Sequence, residues 1–525
     1  MHAPALYLQA QAHLRADRPQ QALDALTACV DRHPAFGPAF LTLAELVEPT
    51  QPGVTIQLLT HALDKFPEFR AQITPILRAT LPKLTPKTWH LSLERAVLAC
   101  MDDPQPLARF AARLLLLKHS EPDIMLAEQD PLWHAFLTRC INVDPAMEAR
   151  IQQLRQKVGA ASPLLPALAL QAFSNEYLQR QQERPATPLH QLLDTPLIDL
   201  PNLEFPDGEP WNELARRTRE DLIEERRLAA ALPSLAPLAD ATSLAVAAQY
   251  EANPYPRWQA PPAPAPRDLR AFVQSFGAKL SATFQVLVAG CGTGFEAIDL
   301  ARTDPTVTVT ALDLSRASLA YAQRMANELG VTNLRFLHGD LLDLHLLDER
   351  FDFVTSTGVL HHIADPAAGL AALVAVTRPG GLLRLSLYSH RARELVRTAH
   401  RLILDRGWQP VPDDIRAFRR HVLSLPLEAP LALLRESDDF YTLSGCRDLV
   451  FHVHERQFTL PEVAALTGAL NLVGFDASQD ALSMFRDRFG DADRLDLRLW
   501  GQLEQEHPAL FAGMYQLLVR APSST

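Results

Sequence analysis

The sequence predicts an α/β fold with a mostly parallel sheet in its C-terminal half, preceded by an all-α helical domain. Two observations predict the α/β part. Short apolar strands alternate with helix-length segments after residue 267, and glycines cluster directly behind the first strand. A third observation predicts the all-α part, because two proline-terminated helix pairs recur near the N-terminus. The length of 525 residues suits roughly two to four domains.

Composition favours a globular protein in a reducing compartment. Apolar residues make up 47% of the chain and charged residues 21%, and a net charge of −11 argues against broad electrostatic capture of nucleic acid. The five cysteines are scattered without a CxxC spacing, which argues against a disulfide framework or a structural zinc site. We recognise no signal peptide, and the most apolar run, Leu114 to Leu117, is too short to cross a bilayer. A cytoplasmic location is expected, without a membrane or DNA partner.

Residues 1–71 have the pattern of two helix pairs, each with an apolar stripe on its second helix. Pro34 and Pro67 end these second helices and lie 33 residues apart, close to the roughly 34-residue tetratricopeptide period. The segment resembles the tetratricopeptide family, and an ordinary pair of helical hairpins is the alternative. Residues 72–180 are expected to extend the stack with further helical hairpins, because two repeats bury too little alone.

Proline-rich sequence separates the two halves of the chain. Between 181 and 266 we expect a linker with one charged helix, at about Asn212 to Ala230. The stretch 253–266, NPYPRWQAPPAPAP, should be largely extended. Residues 267–525 then form the α/β domain.

Chemistry-bearing residues follow the ends of successive predicted strands. The first strand, Phe284 to Ala289, runs directly into the loop GCGTG at 290–294, where glycines let a backbone approach a nucleotide without a Cβ in the way. The second strand ends at Asp313, placed to accept hydrogen bonds from ribose hydroxyls. The third ends at Asp340, and the fourth runs into GVLHH at 358–362. The carboxyl ends of parallel strands meet at one sheet edge, where open α/β folds bind ligands.

Together these motifs resemble the class I S-adenosylmethionine-dependent methyltransferase family, in its type-11/12 branch, over about 267–390. A GxGxG loop and paired histidines disfavour a nicotinamide-dependent oxidoreductase. The resemblance implies a Rossmann-like, seven-stranded, mostly parallel sheet, with 471–477 and 514–520 as its last two strands and the final one antiparallel. It also implies S-adenosylmethionine as the cofactor. Ala289 stands where many members have an acidic residue.

The chain as a whole resembles bacterial fusions of tetratricopeptide repeats with a methyltransferase. Four segments carry this wider resemblance: 165–179, 246–258, 444–463 and 511–520. This resemblance indicates the order of the domains in the chain, but says less about which substrate is methylated.

The resemblance implies which residues bind the cofactor and which act on the substrate. The expected S-adenosylmethionine contacts are Gly290, Cys291, Gly292, Thr293, Gly294, Asp313, Leu314, Asp340, Leu341 and Thr357. His361 and His362 are the catalytic candidates, and shaping of the cofactor loop is their alternative role. Cys291 is interpreted as a small packing residue rather than a nucleophile.

A long insertion of about 391–458 follows the fifth strand. We interpret it as a cap over the substrate pocket, together with the aromatic segment 250–258 in extended backbone; docking of that segment onto the domain is the alternative. The residues predicted for the cap are Tyr255, Arg257, Trp258, Tyr388, Arg391, His452 and His454. On a strand, His452 and His454 would share one face, but two histidines without a third ligand make a poor metal site, so no metal is expected.

Methylation of a protein or peptide held by the helical repeats is the favoured function, because concave repeat surfaces commonly bind extended chains. One alternative is a small-molecule methyltransferase whose repeats serve assembly. Another is a non-catalytic scaffold that carries an S-adenosylmethionine-binding module. The sequence STGVLHH after the fourth strand lacks the Asn/Asp-Pro-Pro-Tyr signature of many amide and nucleic-acid base methyltransferases. The acceptor atom and the oligomeric state stay open.

Overall fold

The structure is a computed structural model that describes residues 2–180, 187–261 and 267–523. Parts of the predicted linker (181–186) and of the predicted extended stretch (262–266) lie outside the described residues, as do the two chain ends. The chain divides into two compact units, Met1–Ala215 and Arg216–Thr525.

The first unit begins with the two predicted helix pairs. Their bounds are α1 Ala3–Arg15, α2 Pro19–Arg32, α3 Gly37–Val47 and α4 Pro52–Lys65. Each helix packs against the next, and the prolines that open α2 and α4 stand where a missing N–H costs nothing. The apolar stripes of α2 and α4 are buried at Leu26, Cys29, Leu59 and Ala62. The helical hairpins are confirmed, and their membership of the tetratricopeptide family stays a prediction.

The region 72–180, predicted to extend the stack, is also helical. Its helices are α5 Arg70–Thr80, α6 Leu91–Ala99, α7 Ala108–Lys118, α8 Ile124–Gln129, α9 Pro131–Arg139, α10 Pro145–Lys157 and α11 Leu164–Ser174. The last of these is buried along almost its whole length, as expected for a helix enclosed on all sides by others.

The predicted linker contains more helix than expected. The predicted charged helix corresponds to α12 Trp211–Ala215, a π-helical turn Arg216–Glu220 and α13 Asp221–Ala231. A further helix, α14 Ala241–Ala252, was missed. Asp240 caps it by accepting a hydrogen bond from the Ser243 N–H at 2.8 Å, a start signal that the flanking prolines obscured. Tyr250 therefore lies on a helix rather than in extended backbone.

The second unit is organised by a seven-stranded sheet, as predicted. Its strands are β1 Gln285–Ala289, β2 Thr308–Asp313, β3 Leu334–His338, β4 Phe351–Thr357, β5 Thr377–Leu387, β6 Asn471–Asp476 and β7 Tyr515–Arg520. Their order is β3-β2-β1-β4-β5-β7-β6. Neighbours from β3 to β5 pair in parallel, and β7 pairs antiparallel with both β5 and β6. The final strand is thus antiparallel, as the resemblance implied.

Helices cover both faces of this sheet, because successive strand residues point to opposite sides. Val286 and Val288 of β1 belong to a core shared with α15 Leu269–Ser275, α16 Phe295–Thr303 and α17 Arg316–Glu328. Leu287 and Ala289 belong to the opposite core, shared with α18 Pro366–Val376, α22 Leu460–Thr467, α23 Gln479–Phe489 and α24 Leu497–Glu506. The insertion after β5 is mostly helical and holds α19 Glu394–Arg406, α20 Pro412–Ser424 and α21 Leu443–Val450.

Among the helices that the structure describes, none combines the length and the apolar character needed to cross a bilayer.

Candidate active site

The glycine loop directly follows β1, at the carboxyl edge of the sheet. Gly290, Gly292 and Gly294 have φ angles of 78°, 52° and 79°, in the left-handed region that favours glycine. A Cβ at Gly290 would lie 2.3 Å from a methyl carbon of Val359, and one at Gly294 would lie 2.5 Å from the Cβ of Ala322. Gly294 also opens α16. The loop therefore needs glycine both for its backbone and for close packing on its neighbours.

Asp313 ends β2 and faces this loop. Its carboxylate accepts hydrogen bonds from the backbone N–H groups of Gly292 (2.7 Å) and Ser315 (2.9 Å). Burial raises the pKa of this carboxyl to about 6, and the backbone hydrogen bonds oppose the shift. The predicted ribose acceptor is thus held in place beside the glycine loop.

The other predicted cofactor residues lie at the same edge, because β3, β2, β1 and β4 are neighbours in the sheet. Asp340, buried, follows β3 and accepts a hydrogen bond from the Leu342 N–H at 2.9 Å. Leu314 follows Asp313, Leu341 is buried, and Thr357 ends β4 with its side chain exposed. Burial raises the pKa of the Cys291 thiol well above its ordinary value, which suits an inert packing residue.

His361 is fully buried, and neither of its ring nitrogens has a hydrogen-bond partner among the described residues. Its ring stacks on Tyr388 with centroids 4.0 Å apart and meets His362 at 4.3 Å. Desolvation lowers its pKa well below the ordinary range, so the imidazole is neutral. Leaving two buried nitrogens unsatisfied is costly, and such groups in native structures call for an explanation.

The tautomers of His362 and His452 follow from their hydrogen bonds. Nδ1 of His362 lies 2.8 Å from the carbonyl oxygen of His454, so it carries the proton and Nε2 keeps a lone pair. The His454 N–H donates to Nδ1 of His452 at 3.1 Å, so Nε2 of His452 carries the proton in the neutral ring. Desolvation lowers the pKa of His362 to about 4 and that of His452 well below its ordinary value.

Two tyrosines of the segment 250–258 reach the insertion. Tyr250 donates a 2.6 Å hydrogen bond to Asp448, and Nε2 of His452 lies 3.3 Å from the same hydroxyl. Tyr255 donates a 2.6 Å hydrogen bond to Asp439. The segment and the insertion, predicted to act together, are therefore in direct contact.

The same segment also contacts the glycine loop. The Tyr255 carbonyl oxygen lies 3.2 Å from the position that a Cβ on Gly292 would take. The indole Nε1 of Trp258 donates to the Thr293 carbonyl at 3.1 Å, and the Thr293 hydroxyl donates to the Pro256 carbonyl. Loop and insertion are thus joined through one short stretch of chain.

Arg257 and Trp258, both predicted for the cap, contact helices of the α/β unit. Arg257 pairs with Glu225 of α13 at 3.0 Å, and Trp258 packs edge-on against Phe295 and Tyr321. Both residues anchor the segment to helices of the α/β unit, and Tyr255 joins it to the insertion.

Arg391 and His454 are two further residues predicted for the cap. The charge of Arg391 acts on Glu504 and Tyr515, whereas it is Arg393 that lies over the Tyr388 ring, at 3.7 Å. The stretch 452–454 is a bend rather than a strand. The hydrogen bond from the His454 N–H back to His452 turns the chain. His454 thus contributes backbone atoms to the cluster formed by the rings of His361, His362, Tyr388 and His452 and their polar neighbours.

The fold brings two further candidate metal ligands, His362 and Asp448, to His452, where the sequence indicated no third ligand. Ligand atoms of His362, Asp448 and His452 lie within 4.8 Å of one another. However, the two imidazoles stack nearly parallel at 3.7 Å and 18°, so their in-plane lone pairs do not converge on one point. Nδ1 of His452 is moreover a hydrogen-bond acceptor, whereas a histidine that ligates through Nε2 needs a proton there. This geometry disfavours a metal centre.

The sequence-based prediction missed the charged partners in the cluster. Asp439 and Asp448 accept the tyrosine hydrogen bonds, and Arg393 forms a bidentate pair with Glu455 at 2.9 and 2.8 Å. The sequence did show acids, aromatics and histidines close together in the insertion. This composition indicated where the cluster lies, but not which of its residues pair with each other.

The lowered pKa of His362 predicts that the free energy of unfolding depends on pH. Its folded value of about 4 lies below the ordinary 6.5, so folding favours the neutral ring. The stabilisation is complete above pH 6.5 and is lost as the pH falls towards 4. Between pH 7 and 5.5, the unfolding free energy of the wild type should fall by about 1 kcal/mol relative to His362→Gln.

Thermal unfolding of both proteins at a series of pH values measures this difference. The variant His345→Gln, which removes an exposed imidazole, serves as the matched control and should show no such trend relative to the wild type. A difference between wild type and His362→Gln that is independent of pH would contradict a buried neutral histidine.

Part of the chain is similar in sequence to known proteins. Residues 286–381 match a family described as a methyltransferase domain. An uncharacterized protein of Synechococcus is 32% identical over 242 residues, which cover 42% of this chain and 56% of that protein. An uncharacterized methyltransferase of Mycobacterium bovis is 41% identical over 99 residues, covering 19% of this chain and 47% of the relative.

The trans-aconitate 2-methyltransferase of Deinococcus radiodurans is 36% identical over 119 residues, covering 23% of this chain and 42% of that enzyme. The chain thus spans about half the length of the curated relatives it matches. The matched residues run from β1 into β5 and include the glycine loop, Asp313 and the paired histidines. This part of the chain is thus similar to a methyltransferase domain.

Proposed function

We propose that the chain is an S-adenosylmethionine-dependent methyltransferase whose N-terminal helices present a protein or peptide substrate. The observation that carries the proposal is the carboxyl edge of the sheet. There the glycine loop after β1 faces the carboxylate of Asp313, which backbone hydrogen bonds hold in place. Buried neutral histidines follow β4, the neighbour of β1 in the sheet. The match to a methyltransferase domain over the same residues supports it.

The residues present fit S-adenosylmethionine. The left-handed glycines set the backbone course of the loop after β1, Asp313 offers acceptors to ribose hydroxyls, and Asp340 stands at the neighbouring strand end for the adenine amino group. When bound, S-adenosylmethionine supplies a methyl group on a positively charged sulfur. The protein then has to orient the acceptor and exclude water.

His362 is the better suited of the two histidines to receive a proton. Its Nδ1–H donates a hydrogen bond to the His454 carbonyl. The lone pair of Nε2 can therefore receive a proton from the substrate group that is to be methylated. His361 is sealed between Tyr388 and His362, so it supports the arrangement rather than meeting solvent. Tyr250, Tyr255 and the insertion supply the substrate side of the site.

Support for a protein substrate comes from a groove in the helical unit. The groove lies between α4, α5 and α6 and encloses about 400 Å³. Half-buried Leu63 and Leu98 give it an apolar wall, and Arg95 pairs with Asp64 across it at 2.8 Å. Apolar walls beside paired charges suit an extended peptide with side chains of both kinds.

Removing the Asp313 carboxylate should strongly reduce methyl transfer by weakening cofactor binding. Asp313→Ala removes charge-assisted hydrogen bonds, so we expect roughly 10- to 100-fold weaker binding of S-adenosylmethionine. Purified wild type and variant are incubated with radiolabelled S-adenosylmethionine and a cell extract that lacks this gene. The label is followed into protein, nucleic-acid and small-molecule fractions.

Label in a protein band, strongly reduced with the variant, is the expected result. Label in small molecules alone would contradict the role of the repeats and leave them a role in assembly. Tight binding of S-adenosylmethionine without transfer to any fraction would contradict the enzymatic function and favour the scaffold.

Filling the groove should block a protein substrate without affecting the cofactor. Leu98→Trp places an indole into the groove beside Leu63, so labelling of protein should fall about tenfold or more while binding of S-adenosylmethionine stays unchanged. Leu91→Trp, on the same helix but half exposed and outside the groove, is the matched control. Equal labelling by both variants would exclude this groove as the substrate site.

A further inference from the structure

Burial raises the pKa of the Tyr388 hydroxyl, and the carboxylates of Asp448 and Asp439 lie close enough to raise it further. We call these three groups the acidic recess. We propose that this acidic recess receives a protonated amine, and that the atom methylated is the nitrogen of that amine. The inference rests on the proposed methyltransferase function and adds the chemical class of the acceptor.

The recess lies one side chain away from the glycine loop. The carbonyl oxygen of Tyr255 lies against Gly292, at 3.2 Å from the position of a Cβ. The hydroxyl at the other end of Tyr255 donates to Asp439 at 2.6 Å. The distance from the Asp439 carboxylate to the glycine loop is therefore spanned by the single residue Tyr255. A group bound at this carboxylate lies near the loop that is proposed to hold the methyl donor.

The charges of the recess call for a cation. Asp448 is buried and Asp439 is half-buried, and neither has an ion-pair partner among the described residues. Arg393 lies close to both, but its guanidinium is already paired twice with the buried carboxylate of Glu455. Burial lowers the pKa values of His361, His362 and His452, so these rings carry no positive charge. Two uncompensated carboxylates in a desolvated position are unfavourable until a cation joins them.

Hydrogen-bonding capacity points to the same ligand. Each carboxylate uses one oxygen for a tyrosine, and within the described residues the other oxygens and the Tyr388 hydroxyl make no hydrogen bond. The fully buried His361, stacked on Tyr388, has two unpartnered nitrogens, and in the neutral ring one of them is a further acceptor. A protonated amine offers up to three N–H donors to such a group of acceptors. A carboxylate or phosphate would add negative charge and acceptors, and a hydroxyl would bring only one donor.

The residues also provide for the proton that the amine must lose. His362 Nε2 has a lone pair and no partner among the described residues, and His362 and Asp448 have ligand-type atoms within 4.8 Å of each other. After His362 takes the proton, the neutral nitrogen forms its bond to the methyl carbon. The carbon–sulfur bond breaks, and its electron pair stays on sulfur as a neutral thioether. The positive charge passes to the methylated nitrogen.

Chemical blocking of amines tests the inference. A cell extract that lacks this gene is divided, and the amino groups of one half are acetylated with acetic anhydride. Both halves are incubated with the full-length protein and radiolabelled S-adenosylmethionine. We expect label in the untreated half, stable to mild base, and about tenfold less or lower in the acetylated half. Equal label in both halves, or release of labelled methanol by mild base, would overturn the amine class and leave the methyltransferase function standing.

Asp448→Asn and Asp439→Asn test the recess itself. Asparagine still accepts the tyrosine hydrogen bond but has no charge, so transfer should fall about tenfold or more while the Kd for S-adenosylhomocysteine stays within about twofold. Asp438→Asn, a change at the exposed neighbour, should leave transfer unchanged. Undiminished transfer by both recess variants would overturn the proposal. Absence of both S-adenosylmethionine binding and transfer in the wild type would overturn the proposed function and this inference with it.

Discussion

The segment 250–258 is held from two sides, and the geometry of the site depends on it. On one side, Trp258 donates to the Thr293 carbonyl of the glycine loop. On the other, Tyr250 and Tyr255 donate to Asp448 and Asp439 of the insertion. A buried polar group costs more when left unpaired than its hydrogen bond contributes when made. Loop, segment and insertion are therefore most stable when all three stay in contact.

Burial also sets the protonation of the cluster. It lowers the pKa of His362 to about 4 and raises the pKa of Asp439 and of Asp448 to about 6, where the tyrosine hydrogen bonds oppose the shift. At neutral pH the imidazoles are uncharged and the carboxylates are ionised. The site therefore combines a neutral base with uncompensated negative charge, which suits an acceptor that arrives as a cation and leaves one proton behind.

The sheet could be predicted from the sequence because strands, glycines and the acidic residues at strand ends follow local periodicity and known spacing. The cofactor edge followed from the same pattern, since parallel strands bring their carboxyl ends together. The cluster on the substrate side could not be predicted residue by residue. Tyr250 and Asp448 are 198 positions apart, and Tyr255 and Asp439 are 184 apart. Helix α14 was obscured by flanking prolines, and the histidine tautomers depend on backbone atoms of a bend.

Hydrogen exchange with and without S-adenosylhomocysteine tests most directly whether loop, segment and insertion act as one unit. Slower exchange reports fewer local openings, so a ligand on the glycine loop should stabilise everything that depends on that loop. We expect protection of residues 286–294 to be accompanied by protection of 250–258 and of 439–454. Protection confined to the glycine loop, with the other two regions exchanging as before, would contradict the coupling.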